Sequence, residues 1–288
     1  MKYIRILFFS AATLIAATVA AKSREIAYTT PDGEAKIISF NIRQSGLAKK
    51  DGHDRWKNRR QAVLNMIQSE SPSVIGLQEG LIDQVRYIEQ AFPQYKRIGV
   101  GRDDGNEKGE ITAIFYLAER FEVIESGTFW LSETPDEVSL GWDAACNRTA
   151  TWVKLREKST GKIFWYINTH LDHVGVDARE NSCRLIADFA AERVAPDETL
   201  VVGGDLNSSI DDPIFEPLKN TMLVARDVAD STDKGGTFNS FGSAPSNIVL
   251  DHLFFRNAHA RSLRTLRGDY GAPYISDHYP VVLLIELQ

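Results

Sequence analysis

Eight side chains at six places along the chain are of types that hold metal ions, move protons or bind oxyanions: Asn41, Glu79, His170, Asp205 with Asn207, Asp251, and Asp277 with His278. Each stands where an apolar run gives way to polar residues. Buried polar groups at strand ends are costly unless they are paired or bind something. Carboxylate and amide oxygens are hard ligands that suit Mg²⁺, with Mn²⁺ or Ca²⁺ as alternatives. Two imidazoles among them suit proton transfer, or donation to a developing oxyanion. Hydrolysis of a phosphoester needs an activated water, in-line geometry and neutralised charge at the leaving oxygen. These residue types supply all three.

The stretch Val201-Val202-Gly203-Gly204-Asp205-Leu206-Asn207 centres the pattern. A β-branched apolar run reads as a buried strand that stops at two glycines. Residues two apart on an extended chain point the same way, so Asp205 and Asn207 would project together. Taken alone, the stretch fits an Asx-type turn equally well. The other strand ends favour the site, and the glycines are then expected to let a phosphate approach the backbone.

The elements that must carry these groups follow from periodicity. Buried strands are expected at residues 36–42, 74–79, 149–155, 163–170, 200–202, 248–255 and 280–287. Residues 110–116 and 121–130 read as an antiparallel pair. Helices are expected from Asp54 to a stop at Ser71-Pro72, through Val85 and Ile88 to Pro93, and over 177–193. Arg55, Lys57, Arg59 and Arg60 cluster on the first helix and read as a solvated face.

Lys2 and Arg5 precede a short apolar core at 6–15 and small residues around Ala20-Ala21, the pattern of a signal peptide over residues 1–21. The remainder, 22–288, reads as one domain of a periplasmic or secreted protein, with no other run long enough for a membrane span. The formal charge of −6, more negative without the signal segment, argues against nonspecific capture of DNA. It leaves a phosphate substrate open, since a bound divalent ion supplies local positive charge. Cys146 and Cys183 could form one disulfide in an oxidising compartment, and two cysteines cannot make a zinc cluster alone.

In order along the chain, Ser39-Phe40-Asn41-Ile42, Leu77-Gln78-Glu79, Asn168-Thr169-His170-Leu171, Gly204-Asp205-Leu206-Asn207, Leu250-Asp251-His252 and Ser276-Asp277-His278 resemble the motifs of the endonuclease/exonuclease/phosphatase (DNase I-like) superfamily. Residues 129–135 and 148–152 look most like the nocturnin and deadenylase branch and its exported bacterial relatives. The resemblance implies an α/β (α+β) fold, a four-layer sandwich of two mixed β-sheets flanked by helices. It implies Glu79 as the main metal carboxylate, with Asn41 and Asp277. Asp205 would activate the water, with Asn207 holding it or the phosphate. His278, paired with Asp251, and His170 would bind the phosphate from two sides. Glu110 would orient His170, and Arg148 would clamp phosphate with its planar fork. Abasic-site endonucleases have an aspartate where this chain has Arg43, which puts a second metal site in doubt; Arg43 could contact phosphate or be a solvated strand-end arginine.

A metal-dependent phosphoesterase follows, with nucleic acid or a nucleotide as the favoured substrate. Sphingomyelin-like lipids, inositol phosphates and phosphorylated sugars are the alternatives. No exposed apolar hairpin for membrane docking is evident, and no obligate protein partner. A silent phosphate-binding module is disfavoured, because every catalytic position carries a competent residue.

Overall fold

The computed structural model describes residues 22–288; the signal segment inferred above lies outside the described residues. The elements run β1 (Glu34–Asn41), α1 (Trp56–Glu70), β2 (Val74–Gln78), α2 (Ile82–Ala91), β3 (Tyr95–Ile98), β4 (Ile114–Leu117), β5 (Phe121–Trp130), β6 (Thr149–Glu157) and β7 (Ile163–His170). They continue with α3 (Val176–Arg193), β8 (Thr199–Asp205), β9 (Leu223–Val224), β10 (Ser231–Thr232), β11 (Asp251–Arg256), β12 (Ala258–Thr265) and β13 (Val281–Leu287), with short helical turns between. The long helices start and stop as the sequence signals. Ser71, left-handed at φ 47°, caps α1 by donating its N–H to the carbonyl of Ile67, just ahead of Pro72.

Two sheets form: β10-β12-β13-β1-β2-β4-β3 and β5-β6-β7-β8-β11-β9. The six-stranded sheet is covered on both faces, and its strands show how. On β7, Phe164 and Tyr166 join the core against the other sheet, whereas Trp165 and Ile167 join the core under α3. β8 alternates likewise, with Val201 inward and Leu200 and Val202 toward α3. Helices α1 and α2 contribute Val63, Ile67, Val85 and Ile88 to the larger core. The result is the four-layer sandwich. Each fully buried large apolar side chain in these cores is worth roughly 1.5–3 kcal/mol relative to exposure.

The two sheets are also stitched by polar groups beneath the site. Gln78 Nε2 donates to Asn168 Oδ1 at 2.7 Å, and Asn168 Nδ2 donates to the carbonyls of Leu77 and Ala113 at 2.9 and 3.1 Å. Both side chains are fully buried. Room for this brace comes from Gly76, where a Cβ would lie 2.2 Å from Tyr166 Oη. Gln78 and Asn168 immediately precede Glu79 and Thr169-His170, so the brace fixes how far apart the two sheets hold those residues.

Two sequence expectations change, and one question left open is answered. Residues 110–116 and 121–130 do not pair: β4 lies between β2 and β3 in one sheet, and β5 pairs with β6 in the other. The turn at 118–120 carries the chain from one sheet to the other. β11 begins at Asp251 rather than at 248, and β12, which has no long apolar run, was not anticipated. Cys146 and Cys183 are both free thiols; the first is half-buried and the second is buried on the inner face of α3.

Candidate active site

Strand register assembles the site. β7 pairs parallel to β8 with His170 opposite Asp205, and β8 pairs antiparallel to β11 with Asp205 opposite Asp251. Three functional side chains therefore sit side by side on neighbouring strands. Asp205 has the parity of Val201, and Asp251 that of Leu253 and Phe255, so all face the other sheet. On that sheet β1 and β2 run parallel with Asn41 opposite Gln78, which puts Glu79 one residue beyond. β13 runs antiparallel to β1, so Asp277 and His278 arrive before their strand rather than after it. The apolar-then-polar pattern thus holds for β1, β2, β7 and β8. It reverses for Asp251, Asp277 and His278, because antiparallel strands bring their first residues to the same rim.

These rims open onto a pocket of about 790 Å³ lined by Arg43, Glu79, Glu110, Arg148, His170, Asp205, Asn207, Asp277 and His278 among others. Asn41 and Asp251 stand behind this wall, 0% and 1% exposed. Asn41 Nδ2 donates to Asp205 Oδ2 at 2.8 Å and to Glu79 Oε1 at 3.1 Å. Asp205 Oδ1 accepts the Asn207 backbone N–H at 3.1 Å, and Asn207 Nδ2 donates to the carbonyl of Leu171 at 2.9 Å. Asp205 Oδ2 lies 3.5 Å from His170 Nε2 and 3.6 Å from His278 Nε2. One carboxylate stands between two imidazoles.

The imidazoles are driven in opposite directions. Burial, with Arg148 nearby, lowers His170 to about 3 against the pull of Asp205 and Glu79, so it is neutral. Burial would lower His278 too, but the carboxylates of Asp251 and Asp205 outweigh it and raise the ring to about 10. The 2.9 Å contact between His278 Nδ1 and Asp251 Oδ2 fixes that ring's orientation. Non-glycine residues at positive φ cluster here: Arg43 at 57°, Glu79 at 58° and Asn207 at 52°. Such backbone is costly and is kept where the surroundings over-determine it.

Several expected roles shift. Glu110 Oε2 comes only within 3.6 Å of His170 Nδ1, which has no hydrogen-bond partner. The carboxylate is already taken by Arg102 NH1 at 2.5 Å and Gln44 Nε2 at 2.9 Å. Arg43 is not solvated: it pairs with Asp51 at 3.0 Å and Asp277 at 3.2 Å. Arg148 is 4% exposed, with NH1 free of a partner at the pocket wall. The glycines of the central stretch serve strand packing, not phosphate approach. Gly204 has φ 151°, and a Cβ there would lie 1.8 Å from the carbonyl oxygen of Thr169.

Sequence reasoning missed Arg59. It is 1% exposed, and its NH1 donates to the carbonyls of Ile42 and Ile275 at 2.5 and 2.9 Å. Its NH2 donates to the carbonyl of Arg43 at 2.6 Å, so one guanidinium ties together the backbones carrying Asn41, Arg43 and Asp277. Burial lowers it to about 10, leaving it charged at neutral pH. Its helix-face spacing alone gave no hint of this.

The donor set fits a hard divalent ion. Glu79 and Asp277 present carboxylates to the same pocket, while Asn41 behind them gives its amide nitrogen to Glu79 and accepts the Arg43 backbone N–H with its oxygen at 3.0 Å. Burial raises the Asp277 carboxyl, with the charge of Glu79 adding to it against His278 and Arg43. That mutual strain is what a bound cation relieves. Asp205, Asp251 and His278 also bring ligand atoms within 4.8 Å of one another. There, however, Asp251 and Asp205 hold His278 protonated, which leaves the ring no lone pair for a cation, so the Glu79 and Asp277 carboxylates are the better cation site.

Fold and site together define a two-sheet α/β hydrolase of phosphoesters. The chain belongs to the Endonuclease/Exonuclease/phosphatase family, which residues 38–278 match. A family member from Bacteroides vulgatus is 35% identical, with a TM-score of 0.84 over 88% of this chain and 99% of that one. A mannosyl-6-phosphatase of Bacteroides thetaiotaomicron is 31% identical over 88% and 99% of the two chains, at a TM-score of 0.82. The human nocturnin catalytic domain, 19% identical over 88% and 94% at a TM-score of 0.68, shares the fold. An uncharacterized protein of Acanthamoeba polyphaga mimivirus is 26% identical over 87% of this chain and all of its own.

Proposed function

We propose that the protein is an exported, divalent-metal-dependent phosphoester hydrolase whose substrate is a small phosphorylated sugar. The observation that carries the hydrolytic reading is Asp205 Oδ2, within 3.6 Å of both imidazoles and facing the pocket. In this reading Asp205 takes a proton from a water whose oxygen attacks phosphorus in line. The phosphorus–oxygen ester bond breaks, the leaving sugar oxygen takes a proton from solvent, and Asp205 returns its proton to solvent. Charged His278 donates to a phosphate oxygen, held in place by Asp251. Neutral His170 and the unpartnered NH1 of Arg148 face it from the other side. A divalent ion held by Glu79 and Asp277, with Asn41 positioning Glu79 from behind, would supply charge neutralisation at the phosphate.

Two things support a sugar over the nucleic acid favoured by sequence alone. The similar Bacteroides protein is a mannosyl-6-phosphatase. The pocket rim mixes Lys50 with Asp51 and Asp54, and the chain carries −6 overall, which disfavours a polyanion. Export rests on the basic start and apolar core of the first residues, and among the described residues no helix is long and apolar enough to cross a membrane. The test is a panel of hexose phosphates, nucleoside monophosphates, bis-p-nitrophenyl phosphate, RNA and DNA, with Mg²⁺ or EDTA. Hexose phosphates should be hydrolysed fastest, and EDTA should stop turnover. Preference for RNA or DNA would reject the sugar; turnover untouched by EDTA would reject the metal.

A further inference from the structure

We infer that His173 is a substrate-recognition residue, giving a neutral N–H to a hydroxyl on the non-reacting part of the substrate; this rests on the sugar-phosphate reading above. His173 lies three residues past His170, exposed and lining the same pocket. Its Nδ1 is 3.0 Å from Arg148 NH2. A guanidinium can only donate, so Nδ1 is the acceptor and the ring proton sits on Nε2. Asp172 in turn accepts from Arg148 Nε at 3.3 Å with Oδ2. With Oδ1 it accepts the backbone N–H groups of Val174 and Gly175 at 2.9 and 2.8 Å. Asp172 is 1% exposed and does not itself reach the pocket. The chain Asp172–Arg148–His173 therefore sets the tautomer and direction of a ring that no role in hydrolysis explains.

Depth separates the two donors on this wall. Arg148 is buried beside His170 and carries a charge suited to phosphate, whereas His173 stands at the mouth and offers an uncharged donor. A sugar hydroxyl matches the second. Cys146 Sγ, Asp172 and His173 also bring ligand atoms within 4.8 Å of one another. A cation is disfavoured there, because Arg148 already occupies His173 Nδ1 and Asp172 Oδ2 and would repel it.

The experiment compares kcat and KM for His173→Ala and His173→Gln on a hexose 6-phosphate and on p-nitrophenyl phosphate, whose leaving group has no aliphatic hydroxyl. His173→Ala should lose about five- to ten-fold more kcat/KM on the sugar phosphate than on the aryl phosphate, mostly through KM, the size of one hydrogen bond. His173→Gln, which keeps an N–H at the reach of Nε2, should recover most of that difference. Equal losses on the two substrates, or no recovery in His173→Gln, would overturn the assignment. If the wild type turns over nucleoside monophosphates but no sugar phosphate, the substrate reading fails by itself. The same ratio on the ribose-bearing substrate then decides His173. If the wild type turns over nothing, calorimetry with the hexose phosphate decides, and equal affinities for wild type and His173→Ala overturn it.

Discussion

The two flanks of Asp205 are built from the same kinds of residue and end in opposite electrostatic states. On one flank His278 meets Asp251 at 2.9 Å and is held charged. On the other, His170 has no partner at Nδ1, Arg148 stands close, and the ring is held neutral. Burial is alike, 4% and 6% exposed, so burial does not decide the difference. What decides it is which charged neighbour the fold supplies: a carboxylate in one case and a guanidinium in the other. A single carboxylate between a donor held charged at neutral pH and one held neutral can take a proton without competing for it on both sides.

The comparison breaks first at its centre. Asp205→Asn keeps the shape but removes the base shared by both flanks, and kcat should fall by about 10³-fold or more, beyond the 10²–10⁴ range of one acid–base group only if roles overlap. Retained activity within ten-fold would mean that the water is activated elsewhere. Next, Asp251→Asn should cost about 10²-fold in kcat by unfixing the His278 ring. Ring NMR of the EDTA-treated wild type should show His278 still protonated at pH 8 and His170 neutral at pH 6, consistent with their shifts to about 10 and about 3. The sign for stability follows. The His278 pair is fully present below about pH 6.5 and is lost as pH rises through about 10. In Asp251→Asn that alkaline loss should shrink in a melting-temperature titration, since Asp205 still holds part of the charge.

Smaller effects sharpen the geometry beneath. Asn168→Leu removes the bonds to the Leu77 and Ala113 carbonyls and to Gln78 Nε2, and should destabilise the protein by about 1–3 kcal/mol, read by urea denaturation. An unchanged midpoint would show that the inter-sheet brace is dispensable. Least of all, reducing agent should leave the melting temperature unchanged, since Cys146 and Cys183 are free. A drop of several degrees would mean that the thiols pair after all.

Much of this was legible in the sequence. Polar side chains at the ends of apolar runs marked Asn41, Glu79, His170, Asp205 and Asn207, because parallel neighbours bring their carboxyl ends to one rim. Asp251, Asp277 and His278 were found by type and order, although their strands run the other way. Periodicity also located α1, α2, α3 and most strands, since a buried face repeats along the chain whatever it packs against. Pairing was not legible for 110–116 and 121–130, because adjacency in sequence does not reveal that a three-residue turn changes sheets. Nor was Arg59 on its charged helix, since spacing cannot distinguish an arginine in solvent from one that binds four carbonyls.

By itself the sequence determined which residues are available, their order, and the elements that carry them, because hydrophobic periodicity and turn residues are local properties. The tertiary structure alone decided the register that aligns His170, Asp205 and Asp251 across three strands. It also set the opposite states of the two histidines and turned the Asp172–Arg148–His173 chain toward the pocket. Those depend on distances of a few ångströms between segments far apart in the chain, and electrostatic energies change most over that range.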